Sequence, residues 1–390
     1  MTVINSLLKR RSISYQDVWG SGRSWSDVSG GSASVSQQLA ITSTLACVDI
    51  KAASIGVMPL HEYQPSGESR SKLPKSPILD DPSDVFSAEE WLYACSASLS
   101  LWDEAIGMVT ATGRDGWPTK LEWLVPDDVS KERRDARVVY GLNGRTYEKW
   151  PLGPIVHLRR RPLPGAINGG ASIGKALDQL VTLGTEGAKA QVSSYINGGL
   201  PLAHLQWGGT LDKSEAETAA ERFEETRRAH PGRPFTTGKG WTLTSIPRGD
   251  AAAEMVAMRE RIATEIATAH GVPPELVGGT TGNSMTYSTL EGVTRSLEVR
   301  ALLPVYVAME RSFSRNLLPG VRYCKFNADA TVRTSLSDRY KAHDTAIRSG
   351  MDSPDGRRAL EDQPPIPNGA GDVYLWPPYA VTTTPTEAST

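Results

Sequence analysis

Cysteine, net charge and long apolar runs are all scarce in this sequence. Only Cys47, Cys95 and Cys324 occur in 390 residues, far apart and without CxxC or Cys/His spacing. Neither a zinc motif nor a disulfide framework is indicated, and a reducing cytosol fits best. Lys plus Arg (42) and Asp plus Glu (44) nearly cancel, leaving a formal charge of -2. No global field is available to grip phosphates by counterion release, so any contact with DNA is expected to be local. No stretch reaches the roughly 18 apolar residues of a membrane helix, so no membrane partner is expected. Lys9, Arg10 and Arg11 are followed by Ser, Gly and Trp, not by the apolar core of a signal peptide. The six histidines form no HExxH pair, and there is no GxSxG elbow. No catalytic residue, metal site or cofactor is therefore assigned, and the histidines are read as structural.

The length allows two or three packing units with a sizeable core. Residues 1–36 have no sustained period and are expected to form a flexible arm. From Leu39 the pattern turns helical, with Ile41, Leu45, Val48, Ala52 and Ile55 three or four apart up to Gly56, and Met58–Tyr63 then alternates like a strand. A second helix is expected from about Ser87, around Trp91, Ala94, Leu99 and Trp102. Short β runs follow at Ile106–Thr110, Leu121–Val125, Val138–Tyr140 and Ile155–Leu158. Together these predict an α+β first domain.

A long helix is expected over Ser172–Ile196, with the stripe Leu177, Val181, Gly184, Ala188, Val192 and Tyr195. Gly184, Gly187 and Ala188 cost helix propensity but let another helix approach closely. A small insertion follows: a strand (Ala203–Trp207), a polar helix opened by the capping box Ser214-x-x-Glu217, and another strand (Trp241–Ile246). A second long helix runs from about Asp250 to His270 on Met255, Met258, Ile262, Ile266 and Ala269, and stops at Gly271-Val272-Pro273-Pro274. A polar loop leads to a third helix, Tyr287 to Asn316. Pro304 lies inside it and should kink it near Arg300 to Pro304. A short helix at about Leu336–Ser349 and Pro/Gly/Thr-rich chain complete the sequence.

Several features admit two readings. Gly169-Gly-Ala-Ser-Ile-Gly-Lys175-Ala176 is one residue from a P-loop, but Ala176 replaces the hydroxyl that would ligate magnesium. A Gly-rich helix entry with Ser172 as N-cap is favoured over a nucleotide-binding enzyme. Arg159-Arg-Arg161 could touch DNA or a partner, or be solvated or paired within a ring. The loop 278–285 reads by composition as an ordinary connector.

Several local sequences, in this order, resemble the portal proteins of tailed phages with HK97-like heads. They are Leu39-Ala-Ile-Thr-Ser-Thr-Leu-Ala-Cys-Val-Asp49, Met58-Pro-Leu-His-Glu-Tyr63, His270-Gly-Val-Pro-Pro-Glu-Leu-Val-Gly278, Thr286-Tyr-Ser-Thr-Leu-Glu291, Ala301-Leu-Leu-Pro304 and Gln363-Pro-Pro-Ile-Pro-Asn368. The likeness covers about residues 37 to 375. Two stretches depart from the pattern: Thr289-Leu-Glu-Gly292, where Asn and Gln are expected, and Asp103-Glu104, where Gly-Asn is expected.

The resemblance implies the phage portal fold and a cone-shaped ring, usually of twelve subunits. It would divide this chain into a wing (37–170), a first stem helix (171–199), a clip (200–247), a second stem helix (248–272), a tunnel loop (273–286), a kinked wing helix (287–320), and a crown with its tail (321–390). Thr280, Thr281, Asn283, Ser284 and Met285 would line the DNA channel, Pro304 would set the kink, and Arg227, Arg228, Arg233 and Lys239 would form the clip's docking surface. The implied partners are further copies of the chain, double-stranded DNA in the channel, the large terminase, the major capsid or scaffold protein, and a head–tail adaptor. The implied place is the capsid portal vertex, after a stage in the host cytoplasm. Another ring-forming adaptor or minor head protein is the structural alternative.

Overall fold

The computed structural model describes residues 35–66, 69–134, 137–164, 167, 173–196, 203–209, 212–229, 240–245, 251–279, 287–328, 336–361 and 363–375. It divides into two compact units, one up to Phe326 and one from Asn327.

The first unit opens with α1 (Val35–Leu39) and α2 (Thr42–Gly56), which packs on α4 (Ala88–Leu101). Small buried residues on both helices, Ala52 on α2 and Cys95, Ser96 and Ala97 on α4, leave room for a close crossing. A complete capping box begins α4: Ser87 Oγ accepts from Glu90 N at 3.3 Å, and Glu90 Oε2 accepts from Ser87 N at 2.9 Å. Between these helices lie β1 (Leu60–Ser66), β2 (Ser69–Leu73) and the single turn α3 (Pro77–Asp80).

Three antiparallel sheets follow from the alternating runs. In the first, β1 is flanked by β2 and by β11 (Tyr323–Phe326), with Leu60 opposite Phe326. The second places β3 (Glu104–Thr112) between β4 (Pro118–Leu124) and β8 (Ile155–Arg159). A Cβ at Gly107 would collide with Leu121 Cδ2, so β3 and β4 require glycine there. The third is the meander β5 (Ser130–Arg134), β6 (Arg137–Leu142) and β7 (Arg145–Glu148). Asn143 and Gly144 turn its second hairpin with φ of 49° and 74°, the left-handed pair that an Asn-Gly turn supplies.

The long helices are α5 (Ile173–Ile196) and α7 (Ala251–His270). A Cβ on Gly184 would meet Ile262 Cγ2 at 3.9 Å and one on Gly187 would meet Met258 Cε at 2.7 Å. Gly187 thus admits the second helix as its small size suggested, Gly184 makes room chiefly for Ile41, whose Cδ1 would lie 3.1 Å from a Cβ there, and the reversed order of the contacts makes the pair antiparallel. The insertion between them holds β9 (Ala203–Trp207) paired with β10 (Trp241–Ser245), and the helix α6 (Lys213–Ala229). The expected capping box is corrected here by two residues. Helix α6 starts at Lys213, and it is Glu215 Oε2 that accepts from Asp212 N, at 3.2 Å. The aspartate ahead of the helix takes the place assigned to Ser214 because its carboxylate also accepts from Lys213 N at 2.7 Å.

Beyond α7 come α8 (Tyr287–Ser296), a π-helical stretch over Leu297–Leu302, and α9 (Leu303–Asn316). Phe313 of α9 packs with Trp91 of α4 and Trp123 of β4, with ring centroids 5.2 and 6.4 Å away. Both indoles are fixed: Trp91 Nε1 donates to Leu121 O at 2.7 Å and Trp123 Nε1 to Trp91 O at 3.0 Å. Burying each of these rings stabilises the unit by roughly 1.5–3 kcal/mol.

In the second unit α10 (Leu336–Arg348) is tied to α11 (Pro354–Leu360) through Glu361, which accepts from Arg339 at 2.5 Å and His343 at 2.9 Å. The Gln363–Asn368 stretch is held by Arg358 Nε on Pro364 O (2.8 Å) and Asp355 Oδ1 on Ile366 N (2.8 Å). Helix α11 lay hidden in chain read as irregular. Its Ser353 cap and first-turn Pro354 are nonetheless ordinary start signals.

Candidate functional site

The two long helices converge on α2 and on the π-helical stretch, around one core of Cys47, Ile173, Leu177, Val181, Ile262, Ile266, Ala267, Val272 and Ala301. Helix α7 ends here because Gly271 adopts φ 74°, and Val272 N returns to Ala267 O at 2.9 Å. A Cβ on Gly271 would also lie 2.9 Å from Arg300 O, so the turn and the next helix touch through backbone. Pro304 lacks the N–H that would bond the carbonyl of Arg300 in an α-helix. The regular helix widens immediately before it, and Leu303 N bonds to Glu298 O, five residues back.

Polar groups buried at this junction were not singled out by the sequence reading. Lys51 Nζ lies 2.9 Å from His270 Nδ1, with Lys51 fully buried and His270 1 % exposed. Burial first, and then Arg160, push the Lys51 ammonium down to about 7. Burial and Lys51 hold His270 well below the usual histidine range, and burial pushes the Cys47 thiol up to about 11. The signal was present in the sequence, since Lys51 interrupts the apolar stripe Cys47–Ile55 one turn from each.

The Asp103-Glu104 departure has a structural account. Asp103 has φ 57°, a left-handed position where glycine is at ease and Asp is among the tolerated residues. Its buried carboxylate accepts from Arg161 Nε and Nη2 at 2.9 and 2.8 Å and from Ile173 N at 3.2 Å, capping α5. Glu104 is held by His157 Nε2 at 2.9 Å and by Lys131, and Tyr140 Oη lies 3.0 Å from His157 Nδ1. Arg161 therefore serves the chain's own interior. Arg159 Nη1 donates to Ile167 O at 3.4 Å, while Arg160 Nε and Nη1 are buried with no partner among the described residues.

The residues expected to line a channel, Thr280, Thr281, Asn283, Ser284 and Met285, lie outside the described residues. So do Arg233, Lys239 and Gly169–Ser172, and the side chains of Lys175, Arg227 and Arg228. Pro304 is exposed at the start of α9. Among the described residues no group of three or more His, Cys, Asp or Glu could hold a metal ion, and no helix is long and apolar enough to cross a membrane.

The family model for the phage portal protein matches residues 43–362. The chain belongs to the phage portal protein family. That family is structural, not catalytic. Among its relatives, the probable portal protein of Streptomyces phage phiC31 is 24% identical over 370 residues, covering 90% of this chain and 80% of that protein. The portal protein of Enterobacteria phage HK97 is 22% identical over 347 residues, covering 85% and 80%. The fold is that of an HK97-family phage portal protein from Corynebacterium diphtheriae, with TM-score 0.58 at 14% identity over 77% of this chain and 98% of the other. A chain from the neck of a native gene transfer agent particle, computed with C12 symmetry, is similar at TM-score 0.56 and 19% identity, over 90% of this chain and all of the other. The order of long helix, small αβ insertion, long helix and interrupted third helix is thus set within a portal-protein fold.

Proposed function

We propose that this chain forms a ring of twelve copies at one capsid vertex, the conduit through which double-stranded DNA is packaged and ejected. The observation that carries the reading is the family match across 43–362, taken with the antiparallel α5–α7 pair that carries a separate small insertion between its ends. In this reading residues 37–170 and 287–320 are the wing, α5 and α7 the stem, 200–247 the clip, 273–286 the tunnel loop, and 321–390 the crown and tail. The clip, with Arg227, Arg228, Arg233 and Lys239, docks the large terminase during packaging and the head–tail adaptor afterwards. The capsid or scaffold protein meets the wing. A near-neutral chain suits the task, since a conduit that bound phosphates strongly would resist sliding.

Immunogold labelling of intact particles tests the placement. Gold at a single vertex per head is the expected result, together with DNA-free heads when the chain is withheld from the infected cell. Gold spread over the shell, or DNA-filled heads without the chain, would refute it.

A further inference from the structure

Among the described residues, the apolar stripe of α5 runs further than the chain covers. Leu177 and Val181 are buried, yet Ala188 is exposed and Val192 is 56% exposed, and Val256 on the facing side of α7 is 55% exposed. A groove of about 1170 Å³ is lined by Gly184, Ala188 and Val192 of α5, by Val256 and Ile262 of α7, and at one side by Ile41 and Ser43 where α2 begins. Lys189, Arg259 and Glu260 also line it, so its charges are of both signs. A solvated helix pair gains nothing from an apolar seam of this kind, whereas a second helix surface laid into it does.

The same unit presents a ridge of matching character. Val299 and Leu303 stand four residues apart and are 52% and 38% exposed, with exposed Pro304 beside them. Residues four apart on a helix make one ridge, the unit that packs into the groove of another helix. The π-helical widening over Leu297–Leu302 sits at this ridge, and such widenings are frequent at functional positions. Arg295, Arg300 and Glu298 flank it, again with both signs. None of the ridge residues lines the groove. A groove and a ridge that share no residue are what a heterologous contact needs if it is to repeat around a ring.

We propose that the α5–α7 groove seats the Val299–Pro304 ridge of the next copy of this chain. The inference rests on the ring reading and specifies its contact. A second copy is the favoured occupant because groove and ridge both mix charge signs, so identical chains meet without net repulsion. A similar chain was moreover solved in the neck of a gene transfer agent particle, computed with C12 symmetry.

Cys47, Cys95 and Cys324 are all buried, so an introduced surface cysteine would be the reactive thiol. The full-length Val192→Cys/Val299→Cys double variant, treated with a short bis-maleimide, should give a ladder of covalent multimers on a denaturing gel. Either single variant should give none. Val192→Arg should lower the ring fraction more than tenfold while leaving the thermal unfolding of the chain unchanged. Rings of the double variant without a ladder, or wild-type assembly of Val192→Arg, would overturn the contact and leave the ring reading standing. Failure of the unmodified chain to form rings would instead refute the ring reading, and this inference with it.

Discussion

Replacing Lys51 by Met should remove a pH dependence that the wild-type chain owes to one buried proton. Lys51 is fully buried against His270, and its ammonium falls from 10.5 to about 7. Above that value the folded chain has released the proton, while the unfolded chain holds it up to the ordinary lysine range. Unfolding then takes up a proton, so stability rises with pH across the window from about 7 to about 10.5. One proton corresponds to about 1.4 kcal/mol per pH unit, and the whole window to a few kcal/mol. Below pH 7 both states are protonated, and the penalty is constant and complete. The assay is urea unfolding of wild type and Lys51→Met side by side between pH 7.5 and 9.5, read as the difference between them. The window lies above the titration of His270. The raised Cys95 and Cys324 thiols contribute an opposite slope common to both proteins, and burial, the larger cause at Cys47, is likewise kept in the variant. Wild type should gain about 2–3 kcal/mol on the variant over those two units. A difference that does not change with pH would refute the reasoning, because it would mean that Lys51 stays charged inside the fold.

Pro304→Ala restores a backbone donor and should straighten the third helix and impair DNA retention; a wild-type yield of packaged genomes would contradict this. Asp103→Ala leaves Arg161 and Ile173 N without their acceptor and should cost about 2–4 kcal/mol in urea unfolding. Asp103→Gly relieves the left-handed backbone yet should still lose most of that amount, which separates the ion pair from the turn. Gly107→Val forces a side chain onto Leu121 in the centre of the second sheet and should lower stability by about 1–3 kcal/mol, measured in the same way.

The regular elements were legible because their faces are chemically one-sided. The three- and four-residue spacing of α5 and α7 gave their extents nearly to the residue, whereas the helix expected from Leu39 begins at Thr42, after the separate α1; the close approach of the second helix at Gly187 followed from side-chain size. Features that depend on distant partners were not legible. The short β11 forms a strand by pairing with β1, Tyr323 opposite Tyr63, and no local pattern announces that. The capping of α6 was misread because Asp212 and Ser214 are both good caps, and the second contact from the Asp212 carboxylate decides between them. Lys51 and His270 lie 219 residues apart, so their bond could be read only as an anomaly, a lysine on an apolar stripe. Asp103 was noticed for breaking a family pattern, and its left-handed backbone supplies the reason glycine would serve there.

The central claim is that copies of this chain close into a ring around a channel. Negative-stain electron microscopy with light scattering on the purified full-length protein tests it most directly. The account predicts rings with an axial hole and a mass near twelve times 42.1 kDa. A monodisperse species of 42.1 kDa, with no rings in the images, would contradict it.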